Sequence, residues 1–217
     1  MDNTSTLTVL LHGLGRDRKI MEDLEHALTA AKFDVYNLSY PSKSYPIAEL
    51  AQYIADRINK GFPNRPINFV THSLGSIIVR YIDKHKLIDP IHRVVMLAPP
   101  NKGTPVINIL RRFKWFSNYW GPASAELSSD EQGIHHQLGE EVSFECGIIA
   151  GNKSVDPWFS WTILKGEDDG KVTVANTKIA GMKEHTIIPV AHPHLPSHPE
   201  VIKETIHFLK TGHFIKV

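Results

Sequence analysis

The sequence has one cysteine, no long apolar run and almost no net charge. A single cysteine, Cys146, excludes an intrachain disulfide and a zinc site built from several thiolates. The longest apolar runs, such as residues 94–100, are far too short to span a bilayer. With 24 basic and 23 acidic residues, the net charge of +1 gives no chain-wide attraction for nucleic acid. We therefore expect no nucleic-acid partner, unless a local basic patch provides one.

The first residues also lack the basic segment of a secretory signal. Residues 1–6 carry Asp2, and the first apolar stretch ends at His12 and Gly13. The chain has 217 residues, of which 41% are hydrophobic and 22% are charged, and this composition favours a buried core over disorder. We expect a single globular domain over residues 1–217, located in the cytoplasm.

Short strand-like runs alternate with helical patterns along the chain. This alternation is typical of an α/β fold, with a mostly parallel sheet of about six strands and helices on both faces. The predicted strands are residues 7–11, 33–38, 67–71, 93–97, 144–150 and 186–190.

Two details concern the last strand and the last helix. Pro189 cannot donate to a ladder, so the sixth strand is expected to lie at an edge or to end early. Ser197 with Glu200 three residues later forms a capping-box pattern, which predicts that the final helix begins there. Residues 101–143 interrupt the alternation and are expected to be an insertion.

The tract from Thr71 to Gly75 indicates a candidate nucleophile. It reads as a strand, a tight turn and a helix with Ser73 at the apex. Such a turn exposes the hydroxyl and places the next backbone N–H beside a reacting carbonyl. Small residues are favoured two positions before and after the serine; Gly75 meets this demand, whereas Thr71 crowds the turn. An ordinary strand–helix connection is the alternative interpretation.

The chain as a whole resembles the α/β-hydrolase superfamily, particularly its small lipase-like bacterial members. Four tracts carry the resemblance, at residues 10–15, 71–75, 169–172 and 190–193. It implies a Ser, acid, His order along the chain. It also implies an oxyanion hole formed by the backbone N–H groups of Leu14 and Leu74. The glycine turn in the first tract is not a dinucleotide fingerprint, because Arg18 stands at the third glycine position.

The resemblance implies Asp169 as the acid and His192 as the base. Asp169 directly precedes a glycine on a loop after the fifth strand, with Asp168 as the alternative acid. His192 follows the last predicted strand and precedes the last helix. A metal site formed by His192 with His194 and His198 is a weaker alternative, because no H-E-x-x-H motif or cysteine ligand supports it.

The other histidines are expected to have different roles. His72 adjoins the serine and is expected to pack or to contact substrate. His185 and the pair His135 and His136 are expected to lie at the surface.

The insertion combines basic and aromatic side chains. The resemblance implies a lid or acyl-binding cap over residues 101–143, with Trp115, Phe116 and Trp120 as candidate substrate contacts. Cations beside aromatic rings also suit an anionic lipid surface, so we expect peripheral membrane contact through residues 105–120. An amphipathic helix packed on the sheet explains the same pattern.

These features predict a serine esterase or lipase-like hydrolase that needs no metal or organic cofactor. Its substrate is expected to be a small-molecule or lipid ester, cleaved through an acyl-enzyme on Ser73. Acyl transfer on the same fold is one alternative. A non-catalytic binding module, with Thr71 distorting the turn, is another.

Overall fold

A computed structural model describes residues 6–155 and 157–215 of the chain. The described residues form one sheet in the order β2-β1-β3-β4-β5-β6, and every neighbouring pair is parallel. The predicted parallel α/β sheet is therefore confirmed. The strands are β1 (Leu7–Leu11), β2 (Asp34–Leu38), β3 (Ile67–His72), β4 (Ile91–Leu97), β5 (Glu141–Gly151) and β6 (Ala180–Ile188).

The helices connect these strands and cover the sheet. They are α1 (Glu22–Ala30), α2 (Ile47–Gly61), α3 (Leu74–Lys84), α4 (Pro105–Leu110), α5 (Lys114–Trp120), α6 (Pro122–Glu126), α7 (His135–Leu138), α8 (Pro157–Thr162), α9 (Val174–Thr177) and α10 (Pro199–Thr211). Short 3₁₀ helices occupy Arg18–Met21 and His192–Ser197. None of the helices in this described part is long and apolar enough to cross a bilayer.

The sheet is buried on both faces, as the apolar runs of its central strands predict. Successive side chains of a strand point to opposite faces, so Val9 and Leu10 belong to two different apolar clusters. The cluster of Val9 includes Leu50 of α2 and further side chains of α3. The cluster of Leu10 includes Leu24 of α1 and Phe208 of α10. The predicted helices on both faces are thus confirmed.

All strands of the parallel sheet end at the same edge, which brings distant loops together. Ser73 follows β3, the segment after β1 begins at His12, and His192 follows β6. The loop that carries Asp169 follows β5. In open α/β sheets this carboxyl edge is the usual place for a ligand.

The insertion lies between β4 and β5 and contains α4 to α7. It ends sooner than predicted, because β5 begins at Glu141 rather than at Phe144. Its four helices are short, from four to seven residues each.

The last strand and the last helix differ from the prediction in part. β6 spans Ala180–Ile188 and therefore begins before residue 186, but it lies at the sheet edge and ends just before Pro189. The predicted capping box is wrong. Ser197 ends a 3₁₀ helix and donates through Oγ to the His194 carbonyl (3.3 Å). The final helix begins at Pro199 instead, because the fixed φ of proline suits a first helical position.

Candidate active site

Ser73 occupies a sharp turn between β3 and α3. Its backbone has φ 52° and ψ −116°, a region that costs a non-glycine residue about 1–3 kcal/mol. The Ser73 N–H donates to the carbonyl of Leu97 on the neighbouring strand (3.0 Å), which helps to hold the turn in place. The predicted strand, turn and helix around this serine are therefore present.

Close packing around the turn explains the glycine at position 75. A Cβ at Gly75 would lie 2.8 Å from the Leu11 carbonyl oxygen and 3.0 Å from that of His12. Thr71 fits on the strand side because its buried Oγ1 lies 2.8 Å from the hydroxyl of Ser76, within hydrogen-bond distance. The turn therefore accommodates this threonine.

Asp169 and His192 form a hydrogen-bonded pair beside this turn. The distance from Asp169 Oδ2 to His192 Nδ1 is 2.6 Å, and the His192 N–H donates to the Asp169 carbonyl (3.0 Å). Asp169 is only 1% exposed, and its Oδ1 accepts the backbone N–H groups of Lys171 (3.0 Å) and Val172 (2.8 Å). These bonds orient the carboxylate toward the imidazole.

Asp168, the alternative acid, has different partners. Its Oδ1 accepts the N–H of Gly170 (2.7 Å) and the hydroxyl of Ser160 (2.6 Å). These contacts tie the acidic loop to α8. Of the two aspartates, the structure places Asp169 against His192.

Ser73 and His192 both line a cavity of about 220 Å³. Two basic residues, Arg16 and Lys171, also line it. Its wall is mostly apolar. The insertion contributes Val106, Ile107, Leu110, Phe116, Trp120 and Leu127, and Leu14 and Val172 add to the wall from outside the insertion.

The three candidate aromatic contacts of the insertion are therefore placed differently. Phe116 and Trp120 line the cavity, and Trp120 packs so closely on Gly15 that a Cβ there would lie 2.4 Å from its ring. Trp115 does not belong to this lining in the described part of the chain, and it is 60% exposed.

The segment after β1 is held by side chains that the sequence patterns did not reveal. His12 Nε2 accepts the backbone N–H of Tyr40 (3.3 Å), and its Nδ1 lies 2.9 Å from the Gly13 carbonyl oxygen. The Tyr40 hydroxyl donates to the His12 carbonyl (2.5 Å), and the two rings stack with centroids 4.1 Å apart. Burial lowers the pKa of His12, which favours the neutral ring that these bonds require.

The two predicted oxyanion donors are the backbone N–H groups that follow β1 and begin α3. Within residues 6–155 and 157–215, the N–H groups of Leu14 and Leu74 donate no hydrogen bond. Leu74 is the first residue of α3, so its N–H has no acceptor inside the helix.

His72 packs against His192 from within the protein. Its Nε2 lies 3.0 Å from the His192 carbonyl oxygen, and the two ring centroids are 4.7 Å apart. Burial, followed by the neighbouring His192, holds the pKa of His72 well below its ordinary value. Since the carbonyl can only accept, Nε2 carries the proton and donates. His72 therefore packs against His192, and it also lines the cavity with Ser73, so contact with substrate stays a prediction.

The predicted surface position of His185 is wrong. His185 lies within β6, is half-buried, and its Nε2 is 2.9 Å from Thr177 Oγ1. Burial lowers its pKa to about 4. His135 is also half-buried, whereas its neighbour His136 is exposed as predicted. Sequence alone did not show these positions, because tertiary packing determines them.

The three histidines near the C-terminal helix differ in how far they are exposed to solvent. His192 is buried, His194 is exposed and His198 is half-buried. In the portion of the chain that the structure describes, no three His, Cys, Asp or Glu residues form a group able to hold a metal ion.

The family model of the alpha/beta hydrolase family matches residues 8–205. The chain belongs to the alpha/beta hydrolase family. The match covers most of this family member, and the resemblance seen in its sequence motifs is confirmed. No curated protein matches the chain at the level of sequence.

Solved structures share the fold of this family member at low sequence identity. The mature form of the lipase BlEst2 from Bacillus licheniformis has a TM-score of 0.68 at 17% identity, covering 96% of this chain and 91% of the lipase. The phospholipase PlaB from Legionella pneumophila has a TM-score of 0.72 at 17% identity, covering 95% of this chain and 60% of PlaB. The metagenomic carboxyl esterase MGS0156 has a TM-score of 0.68 at 17% identity, covering 90% and 67% of the two chains.

Proposed function

We propose that this member of the alpha/beta hydrolase family is a serine hydrolase that cleaves carboxylic esters, including lipid-like ones. One observation supports this function above all others. Ser73 and His192 line the same cavity, and the Nδ1 atom of His192 lies 2.6 Å from a carboxylate oxygen of the buried Asp169. A nucleophile, a base and a group that orients the base are the three parts that acyl transfer to serine requires.

The first half of the reaction forms an acyl-enzyme. The Ser73 hydroxyl attacks the acyl carbon while His192 takes its proton through Nε2, since Nδ1 faces the carboxylate of Asp169. The N–H groups of Leu14 and Leu74 hold the negative oxygen that develops. The bond to the alcohol then breaks, and His192 returns the proton to the leaving oxygen.

The second half releases the acid. A water molecule attacks the acyl carbon of the ester on Ser73, and His192 again takes the proton. Collapse of the intermediate breaks the bond to Ser73, whose oxygen regains the proton. Asp169 stabilises the charged imidazole in both halves.

The cavity wall favours an apolar acyl group. Phe116 and Trp120 line the same cavity as the reacting groups, and they exclude water from the acyl chain. Arg16 adds positive charge to this cavity, which favours an ester with an anionic group near the scissile bond. We assign residues 101–143 the role of a lid or acyl-binding cap.

Ser73→Ala tests the proposed function directly. In purified protein, the variant is expected to lose several orders of magnitude in kcat/KM on p-nitrophenyl esters of increasing acyl length, while its unfolding temperature is retained. Ser197→Ala, which changes an exposed serine, is the matched control and should keep full activity. Full turnover by Ser73→Ala would reject the assignment.

Labelling by a fluorophosphonate separates an enzyme from a binding module. Only an activated serine reacts with this probe. We expect labelling of the unmodified protein and of Ser197→Ala, and none of Ser73→Ala. An unlabelled native protein would favour a non-catalytic module.

We assign residues 105–120 to contact with an anionic lipid surface. Three aromatic side chains of this segment, Phe113, Trp115 and Tyr119, are 51%, 60% and 61% exposed. Together with neighbouring cations they suit the headgroup region. In a flotation assay, phosphatidylglycerol vesicles should carry the protein upward, and Trp115→Ala should weaken this association more than Ile187→Ala at the sheet edge. No association of the unmodified protein would count against the assignment.

A further inference from the structure

A second cavity, of about 890 Å³, lies next to the candidate active site. The two cavities share the segment after β4, because Thr104 lines the first while Lys102 and Pro105 line the second. The proposed ester chemistry uses none of the side chains that line this second cavity.

The buried residue Arg80 is part of the lining of this cavity. Arg80 lies on α3 and is 3% exposed. Its Nη1 donates to the Asn101 carbonyl (2.9 Å) and its Nη2 to the Gly139 carbonyl (2.6 Å). Its Nε is buried without an acceptor, and no carboxylate of the described residues pairs with this guanidinium.

Neutral carbonyl groups satisfy hydrogen bonds of Arg80 but leave its charge uncompensated. A buried charge is unfavourable unless an opposite charge or an ion accompanies it. Burial accordingly lowers the pKa of Arg80 to about 10. The guanidinium stays charged at neutral pH, and so an anion in the cavity would be held strongly.

Two lysines of the cavity add to its positive character. Lys102 and Lys178 line it, and neither makes an ion pair within the described part of the chain. Two imidazoles, of His135 and His136, also line it, and the carboxylate in the lining is that of Glu140. Burial, then His136 and Arg80, lower the pKa of His135.

We propose that this cavity binds a phosphate group. A guanidinium and two ammonium groups contributed by three separate segments match an anion with several equivalent oxygens, and charge-assisted bonds to phosphate are strong. The volume also exceeds that of the bare ion, which favours a phosphate ester. The phosphate belongs either to a soluble ester or to a phospholipid headgroup.

Isothermal titration with glycerol 3-phosphate tests the site without any ester hydrolysis. The double variant Lys102→Ala, Lys178→Ala is expected to bind at least tenfold more weakly than the unmodified protein. Lys60→Ala, Lys203→Ala removes the same charge at exposed positions outside the cavity and should bind within twofold of it. Equal weakening by both pairs would overturn the proposal, because general attraction would then explain binding. Arg80 itself is left intact, since it holds two carbonyl groups.

A second measurement distinguishes the two sources of phosphate. Vesicles of phosphatidic acid in phosphatidylcholine are compared with pure phosphatidylcholine in a sedimentation assay. Saturable binding of glycerol 3-phosphate that is sensitive to the cavity lysines supports a soluble ester. Binding only to phosphatidic acid vesicles, lost in the cavity variant and kept in the control, supports a headgroup. Each probe is supplied at up to 10 mM of its phosphate group, in a buffer without phosphate. If the protein binds neither probe, the proposal is overturned, whatever the outcome for Ser73→Ala.

Discussion

Asp168 and Asp169 are adjacent in sequence but have different partners, so their substitution should have different effects. In Asp169→Asn the amide oxygen can still accept the N–H groups of Lys171 and Val172, while its NH₂ group faces His192. The amide then donates to Nδ1, so the neutral imidazole carries its proton on Nε2 and cannot accept the proton of Ser73. We expect kcat to fall by about 10³- to 10⁴-fold with little loss of stability.

Asp168→Asn is the matched control for this prediction. Asp168 bonds to Gly170 and Ser160 and makes no contact with His192 in the described residues, so kcat should change by less than about tenfold. Steady-state kinetics and thermal unfolding of both variants measure the difference. A larger loss of kcat in Asp168→Asn than in Asp169→Asn would exchange the two assignments.

Some residues of the candidate site could be predicted from the sequence, and others could not. Ser73, Asp169 and His192 stand at strand ends in a known order, and chain order alone brings such positions to one edge of a parallel sheet. The contacts of His12 with Tyr40 could not be predicted in this way, because they join side chains from separate loops. Such contacts depend on packing and leave no periodic signal in the sequence.

At the scale of elements, the approach of α3 to β1 depends on the absence of a side chain at Gly75. In Gly75→Ala the new methyl group would lie 2.8 Å from the Leu11 carbonyl oxygen, which is backbone and cannot move cheaply. We expect a loss of about 1–3 kcal/mol in the free energy of unfolding. Activity should fall as well, since the turn at Ser73 must shift.

Gly61→Ala is the control for this substitution. Gly61 ends α2, and a Cβ there meets no atom within 4 Å. This variant should be neutral or stabilised by up to about 1 kcal/mol, because alanine loses less backbone entropy in a helix. Urea unfolding of both variants gives the comparison. Equal stability of the two would show that the predicted clash is relieved elsewhere.

The helix α5 carries two tryptophans in different environments. Trp120 lines the cavity beside Ser73, whereas Trp115 is 60% exposed. Trp120→Ala removes apolar contact from the acyl group and should lower kcat/KM for p-nitrophenyl octanoate by at least about tenfold, corresponding to the burial of a large side chain. Trp115→Ala should stay within about twofold on this soluble ester.

Kinetics with acetate and octanoate esters provide the internal control. The acetate ester reaches less of the cavity wall, so Trp120→Ala should affect it less than the octanoate ester. Equal losses on both esters would assign Trp120 to the support of Gly15, against which it packs, rather than to acyl binding.

Element boundaries show which local signals are strong enough to predict. Pro189 ends β6 because it has no N–H to donate, and no tertiary contact can supply one. The capping pattern of Ser197 is weaker, and Pro199 determines the start of α10 in its place. The end of the strand could therefore be predicted from the backbone chemistry of proline. The start of the helix could not be predicted from a side-chain cap alone, because neighbouring residues also influence where a helix begins.

At the scale of the whole molecule, the overall charge conceals how charges are distributed. The net charge of +1 excludes a chain-wide field, yet Arg80, Lys102 and Lys178 line one cavity. They come from three separate segments of the chain, so only the tertiary fold shows that they meet. The alternation of strand-like and helical runs predicted the parallel α/β sheet, but the sequence could not predict this local field.

Buried and half-buried imidazoles should make the whole fold sensitive to mild acid. Burial lowers the pKa of His185 to about 4 and also lowers those of His12, His72 and His135. In the unfolded chain these groups take up protons near pH 6.5. As the pH falls from about 6.5 toward 4, the unfolded state therefore binds more protons than the folded state, and stability is lost.

Urea unfolding between pH 7.5 and 4.5 measures this loss. The free energy of unfolding should have its full value above about pH 6.5. At lower pH it should decrease by at most about 1.4 kcal/mol per pH unit for each such group. In His185→Gln the amide can still donate to Thr177 but does not titrate, so the fall should be smaller. His26→Gln, at an exposed position, should keep the original slope. If the slope of His185→Gln equals that of the unmodified protein, His185 does not contribute, and the acid sensitivity comes from other groups, among them the three other imidazoles and carboxylates of lowered pKa such as that of Glu145.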